Sequence, residues 1–130
     1  MTAVLRFLSD PWIDAMARAA EGASGPLVDP PLVLQQVVTG HTEGEAAWSI
    51  TLGAGTIVVT HGRADRPTVT FTQDVETATA VNRGELSAQA AFMTGRLRVG
   101  GDVQVLLDRQ PDLAVVEDIF ALVRADTTYD

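Results

Sequence analysis

Apolar positions recur first at helical spacing, then at every second residue, then at helical spacing again. Ile13, Met16, Ala17 and Ala20 make one apolar stripe of a helix. Ser9 stands before it as an N-cap, and Pro11 falls in the first turn, where its missing N–H costs nothing. The segment GASGPLVDPP, Gly22 to Pro31, ends the helix and reads as a connector. From Val33 to Thr72 the period is two. Trp48, Ile50 and Leu52 alternate with Ser49 and Thr51, and Ile57 and Val59 with Thr56, Val58 and Thr60. A two-residue type II′ turn at Gly53-Ala54 sets Leu52 opposite Gly55, Ile50 opposite Ile57 and Trp48 opposite Val59. The bulky residues then share one face and Ser/Thr the other, a separation that a one-residue slip would destroy. Thr68–Thr72 repeats the scheme with Val69 and Phe71 inward. Val33–Thr39 lacks clean alternation, so its inner face stays open.

Helical spacing returns after Thr72. Asp74 and Glu76 suit a first turn, Val75, Ala78 and Val81 form a stripe, and Gly84 sits at a C′ position. A helical run from Ser87 to Met93 stops at Gly95. A strand follows at Arg96–Val99, with Leu97 and Val99 inward. Gly100-Gly101-Asp102 then turns into the apolar run Val103–Leu107. A last helix starts near Asp112, after Pro111. Its apolar positions Leu113, Val115, Val116, Ile119, Phe120, Leu122 and Val123 form two stripes, an arc wider than packing on a sheet requires. Another subunit, a terminus or an apolar ligand should cover the excess. The order predicts an α+β fold: a five-stranded, mostly antiparallel sheet, helices on one face and a wetted Ser/Thr face on the other.

Length and composition narrow the reading. The 130 residues, 46% of them hydrophobic and 20% charged, favour one globular domain over 1–130. The absence of cysteine removes disulfides, thiolate metal sites and a Cys nucleophile. The net charge is −8, every basic residue is Arg, and such a surface repels phosphate backbones, which disfavours nucleic acid as a partner. No apolar run approaches the ~20 residues that cross a bilayer, and MTAVLRFLSDPW does not read as a signal peptide, so a cytoplasmic protein without stable membrane insertion is expected.

Chemistry-bearing motifs are few. His41 and His61 lie toward one end of the strands, near Glu43 and Glu45. A metal cluster there is geometrically open, but the spacing carries no metal signature, and exposed turn histidines are the preferred reading; no metal or cofactor is expected. In the proposed register His61 shares the face of Val59 and Ile57, at a pocket rim. No nucleophile elbow and no phosphate-cradling glycine pattern occurs. Asp10, Asp102 and Asp112 each precede helical runs and read as caps, and Arg96 and Arg98 read as solvated strand residues.

The stretch GELSAQAAFMTGRLRVGGD, Gly84 to Asp102, resembles the sterol carrier protein type 2 (nonspecific lipid transfer) family. The resemblance rests on Gly84, Glu85, Leu86, Ala91, Phe92, Gly95, Arg96, Leu97, Arg98, Val99, Gly101 and Asp102. FLSDPW, Phe7 to Trp12, is similar to the opening of bacterial members, and the end Thr128-Tyr129-Asp130 lacks a peroxisomal Ser-Lys-Leu pattern. A bacterial-type stand-alone domain is the expectation. The resemblance implies a hydrophobic tunnel between sheet and later helices that holds an acyl chain, a sterol or another lipid with loose specificity, and no catalysis. Candidate wall residues are Trp48, Ile50, Ile57, Val59, Phe71, Leu86, Phe92, Leu97, Leu106, Leu113, Val116 and Phe120. These residue types equally fill a plain core. The alternatives are an enzyme using the tunnel for a hydrophobic metabolite, with His61 or a buried acid as base, and a homodimeric interaction module built on the last helix.

Overall fold

The computed structural model describes residues 5–22, 27–41, 44–109, 121 and 123–129. The chain starts in a short strand, β1 (Leu5–Arg6), and turns into α1 (Asp10–Glu21). The Ser9 hydroxyl accepts from the Trp12 N–H, as an N-cap should, so Asp10 is the first helical residue and not the cap. Trp12, Ile13, Met16 and Ala20 are the buried stripe.

Strands β2 (Leu27–His41), β3 (Gly44–Ala54) and β4 (Ile57–His61) form an antiparallel meander. Strand β2 begins well inside the segment expected to be a connector. Leu27 already pairs with Ala54, but the register shifts between Leu27 and Leu32, a stretch containing Pro30-Pro31, which has no N–H to give a ladder. The β3–β4 hairpin also departs from expectation. Leu52 pairs with Ile57, Ile50 with Val59 and Trp48 with His61, a shift of two residues. The loop is four residues, Gly53 to Thr56, with Gly55 at φ 81°. A shift of two preserves the faces, so the predicted inner set survives a wrong register.

Strand β5 (Val69–Asp74) runs parallel to β2 on its far side, and β6 (Leu97–Gly101) completes the order β4-β3-β2-β5-β6. To reach β5 the chain after β4 must pass over β3 and β2, and it does so on the Ser/Thr face. The Ala64 N–H donates to Gln35 Oε1 at 2.7 Å, the Gln35 amide donates to Thr70 Oγ1 at 3.3 Å, and the Thr68 N–H donates to the Val33 carbonyl at 2.8 Å. That face is therefore wetted only in part. Gln35, Val37 and Ser49 are buried on it, whereas Val58, Thr60 and Arg98 are exposed.

Helix α2 (Val75–Asn82) follows β5 directly, with Asp74 as its N-cap and not a first-turn residue: Asp74 Oδ1 accepts from the Thr77 N–H at 2.7 Å. Helix α3 (Ala88–Met93) is capped by Ser87. After β6 comes α4 (Val103–Asp108); Asp102 holds its N-cap position but makes no side-chain cap bond. Gly101 needs to be glycine. Its φ is 92°, and a Cβ there would overlap the Thr68 carbonyl oxygen, which accepts from the Asp102 N–H. Ala121, Val123 and Arg124 are helical and Val123 is buried. The expected last helix from Asp112, and with it Leu113, Val116 and Phe120, otherwise lies outside the described residues.

Two features carry no signal in the periodicity. Strand β7 (Thr127–Thr128) pairs parallel with β1, Leu5 against Thr127 and Arg6 against Thr128. Tyr129 then packs on Phe7 with ring centroids 5.2 Å apart, lies 5.5 Å beneath the Arg83 guanidinium, and its hydroxyl accepts from the Asn82 side chain.

The core lies between the inner sheet face and the helices. Leu32, Leu34 and Val38 of β2, Trp48, Ile50 and Leu52 of β3, Ile57 and Val59 of β4, and Val69 of β5 are buried with the α1 stripe. The open question of the β2 inner face is thus answered by Leu32, Leu34 and Val38.

Candidate functional site

The inner face is not covered evenly. Over β3 and β4, α1 seals it: Ile50 is 1% exposed, Leu52 0% and Ile57 4%. Toward β5 and β6, Phe71, Gln73 and Val99 on the same face are only half-buried. Of the residues expected to line a tunnel, Trp48, Ile50, Ile57 and Val59 sit in the sealed half, where Trp48 meets Trp12 edge to face at 5.2 Å and 85°. Phe71 and Leu97 lie on the β5–β6 half, Leu97 buried. Leu86 is half-buried between α2 and α3, and Phe92 of α3 is 51% exposed. The Leu106 side chain, like Leu113, Val116 and Phe120, lies outside the described residues. The structure thus divides the expected set into residues sealed beneath α1, residues on the β5–β6 half and residues of the α2–α3 region.

Beside α1 a cleft of about 380 Å³ opens, lined by Leu8, Asp10, Ile13, Glu45, Ala46, Ala47, His61, Gly62 and Arg63. His61 stands at its edge, on the expected side of the sheet, but its partners come from α1. Its Nε2 lies 2.6 Å from Asp14 Oδ1 and its Nδ1 3.6 Å from Asp10 Oδ1. Glu45 is engaged elsewhere: Arg63 Nε donates to its Oε2 at 2.9 Å, and Arg63 Nη2 donates to Oε1. That hydrogen bonding holds the Glu45 carboxyl below its ordinary range and raises Arg63. Among the described residues no three His, Asp or Glu groups are arranged to hold a metal. The Asp10–Asp14 pair, one turn apart on α1, was the available sequence signal for this cluster. It pointed at nothing until β4 was known to run beneath it.

Leu8 lines the same cleft with φ 70°, a left-handed backbone rarely taken by a bulky residue, and is 6% exposed. Two buried tryptophans neighbour the cleft's lining residues in the chain and in the sheet. Trp12 precedes the lining residue Ile13, and Trp48 pairs across the ladder with His61.

The profile of the SCP-2 sterol transfer family matches residues 8–113. The chain belongs to the SCP-2 sterol transfer family. Its fold is shared by a sterol carrier protein 2 crystal structure, 17% identical, with a TM-score of 0.64 over 91% of this chain and 97% of that one. A conserved hypothetical protein of Thermus thermophilus, described as possibly a sterol carrier protein, is 16% identical with a TM-score of 0.64 over 98% and 94%. A palmitated sterol carrier protein 2-like protein from Aedes aegypti is 24% identical with a TM-score of 0.58 over 85% and 94%. No curated protein sequence matches the chain. Family and fold together support lipid binding or transfer. Among the described residues no helix is long and apolar enough to cross a membrane.

Proposed function

We propose that this SCP-2 family member is a cytoplasmic, single-domain carrier and not an enzyme. It holds an apolar or amphipathic molecule in a tunnel between the inner sheet face and the later helices. The supporting observation is the uneven cover of that face: sealed by α1 over β3 and β4, half-buried at Phe71 and Val99 over β5 and β6. Phe71, Leu86, Phe92 and Leu97 supply the described part of the wall. Leu106, Leu113, Val116 and Phe120 supply the rest, and Trp48, Ile50, Ile57 and Val59 form the floor that keeps the sheet rigid beneath.

Solvation drives the binding. Each methylene moved from water into the tunnel gains ~0.8 kcal/mol. Methylenes present no pattern to read, so specificity is loose and several lipid classes are accepted. The palmitated Aedes aegypti relative supports an acyl chain as one such guest.

Displacement of a fluorescent fatty acid is the direct test. Unlabelled acyl lipid should displace it at micromolar concentration, and native mass spectrometry should show an adduct of lipid mass. Folded protein indifferent to acyl chains and sterols alike would defeat the carrier reading. A bare dimer would turn attention to the exposed Phe92 and Met93 as an interface instead.

A further inference from the structure

The interior holds polar atoms that a plain hydrocarbon guest would leave idle. Trp12 and Trp48 are 2% and 5% exposed, and among the described residues neither indole N–H has a hydrogen-bond partner. Buried donors are almost always paired, because water can no longer serve them. Ring area alone does not call for tryptophan here. Phe7 meets Trp12 edge to face at 4.9 Å in the same cluster and brings no polar atom. The perpendicular Trp12–Trp48 contact lets an N–H face a neighbouring ring, but such a contact is a second-order substitute for an oxygen acceptor.

Trp48 also stands in a definite relation to the half-open floor. On the inner face it pairs with Gln36, and Gln36 pairs with Phe71. Phe71 is therefore two strand spacings away, about 10 Å. A guest whose tail lies over Phe71 is long enough to span that distance, and it reaches the indoles by displacing part of the α1 cover. Its polar group must be uncharged. A carboxylate brought there would find the nearest basic groups already engaged, His61 across the ladder from Trp48 by Asp14 and Asp10 and Arg63 by Glu45, and would face those carboxylates.

Resting on the carrier reading, we infer that the indole N–H groups of Trp12 and Trp48 are donors to a neutral oxygen of the guest, a carbonyl, ester or hydroxyl oxygen. The protein then prefers oxygenated neutral lipids over bare hydrocarbons of equal length.

The chain has only two tryptophans, so its ¹H–¹⁵N spectrum carries two indole resonances. The experiment adds methyl palmitate, hexadecane and palmitate in turn to the labelled full chain, with affinity measured in parallel. Methyl palmitate should move at least one indole resonance downfield and slow its exchange with solvent. Hexadecane should bind without either effect, and palmitate should bind with its carboxylate outward and the indoles unmoved. Trp48→Phe should weaken methyl palmitate about fivefold to tenfold more than it weakens hexadecane. Methyl palmitate binding at saturation with both indoles unmoved overturns this inference and leaves the carrier intact. Failure of all three to bind overturns both. The wild-type spectrum decides the matter even if Trp48→Phe does not fold.

Discussion

At single residues the strongest constraints are backbone ones. Gly95 and Gly101 belong to the same family-like stretch, and alanine separates their roles. At Gly95, φ is 78° but a Cβ would meet nothing within 4 Å, so Gly95→Ala should cost about 1 kcal/mol, the left-handed penalty alone. At Gly101 the same penalty adds to an overlap with the Thr68 carbonyl, and Gly101→Ala should cost about 3 kcal/mol or more. Chemical denaturation of the two variants side by side measures the difference; equal losses would mean that the β5–β6 approach yields easily. Leu8 shows the opposite balance. Its left-handed backbone costs about 1–2 kcal/mol, yet burial of its side chain at 6% exposure is worth more, about 2–5 kcal/mol against a small residue. Leu8→Gly should therefore destabilise, even though it relieves the strain.

At the scale of elements, α2 depends on its cap. The Thr77 backbone N–H, then the Thr77 hydroxyl, hold the Asp74 carboxyl below its ordinary range, with a lesser contribution from Arg96. A carboxyl whose pKa is lowered on folding stabilises above its unfolded pKa, and that stability is lost as pH falls through the folded value. Asp74→Ala should thus cost about 1 kcal/mol at neutral pH, and the gap from the parent should close in acid, below the usual carboxylate range. Melting curves from pH 7 downward test this; a constant gap would assign the loss to packing instead. Elements were legible in the sequence where two signals agreed. Ser9 with the Ile13–Met16–Ala20 stripe marked α1, and Ser87 with Gly95 bounded α3. The inner face of β3 and β4 was legible because a two-residue register error leaves faces intact. The bounds of β2 were not, because Pro30-Pro31 hid the strand that resumes before them. The partial burial of the Ser/Thr face was hidden for another reason: only the strand order reveals that the β4–β5 connection crosses it.

Across the whole molecule, the half-open floor and the sealed floor share one sheet. A substitution in the sealed half tests the sheet and not the site: Ile50→Asp buries an unpaired carboxylate at a position 1% exposed and should prevent folding. The far end of the chain is tied down as well. Tyr129→Ala removes contacts to Phe7, Arg83 and Asn82 and should cost about 2 kcal/mol. For a chain of this size that lowers the melting temperature by about 5–10 °C. If release of a guest requires the β1–β7 end to loosen, the same variant should speed lipid exchange between vesicles. Unchanged exchange with lowered stability would place the exit route elsewhere, beside Phe92 and α3. None of this was legible from periodicity, since two-residue strands have no period to read; pairing 122 residues apart in the chain is visible only in the fold.

The β1–β7 pair has a mechanical meaning. The strands run parallel, so tension applied before Leu5 and after Thr128 drags them in opposite directions along their shared axis. The Leu5–Asp126 and Phe7–Thr128 backbone bonds, 2.7 and 2.8 Å long, are then loaded together in shear and not peeled one at a time. Because they lie outermost along the line of force, they shield the five-stranded sheet. Until they part, a tug on the outer segments cannot unroll the five strands behind them.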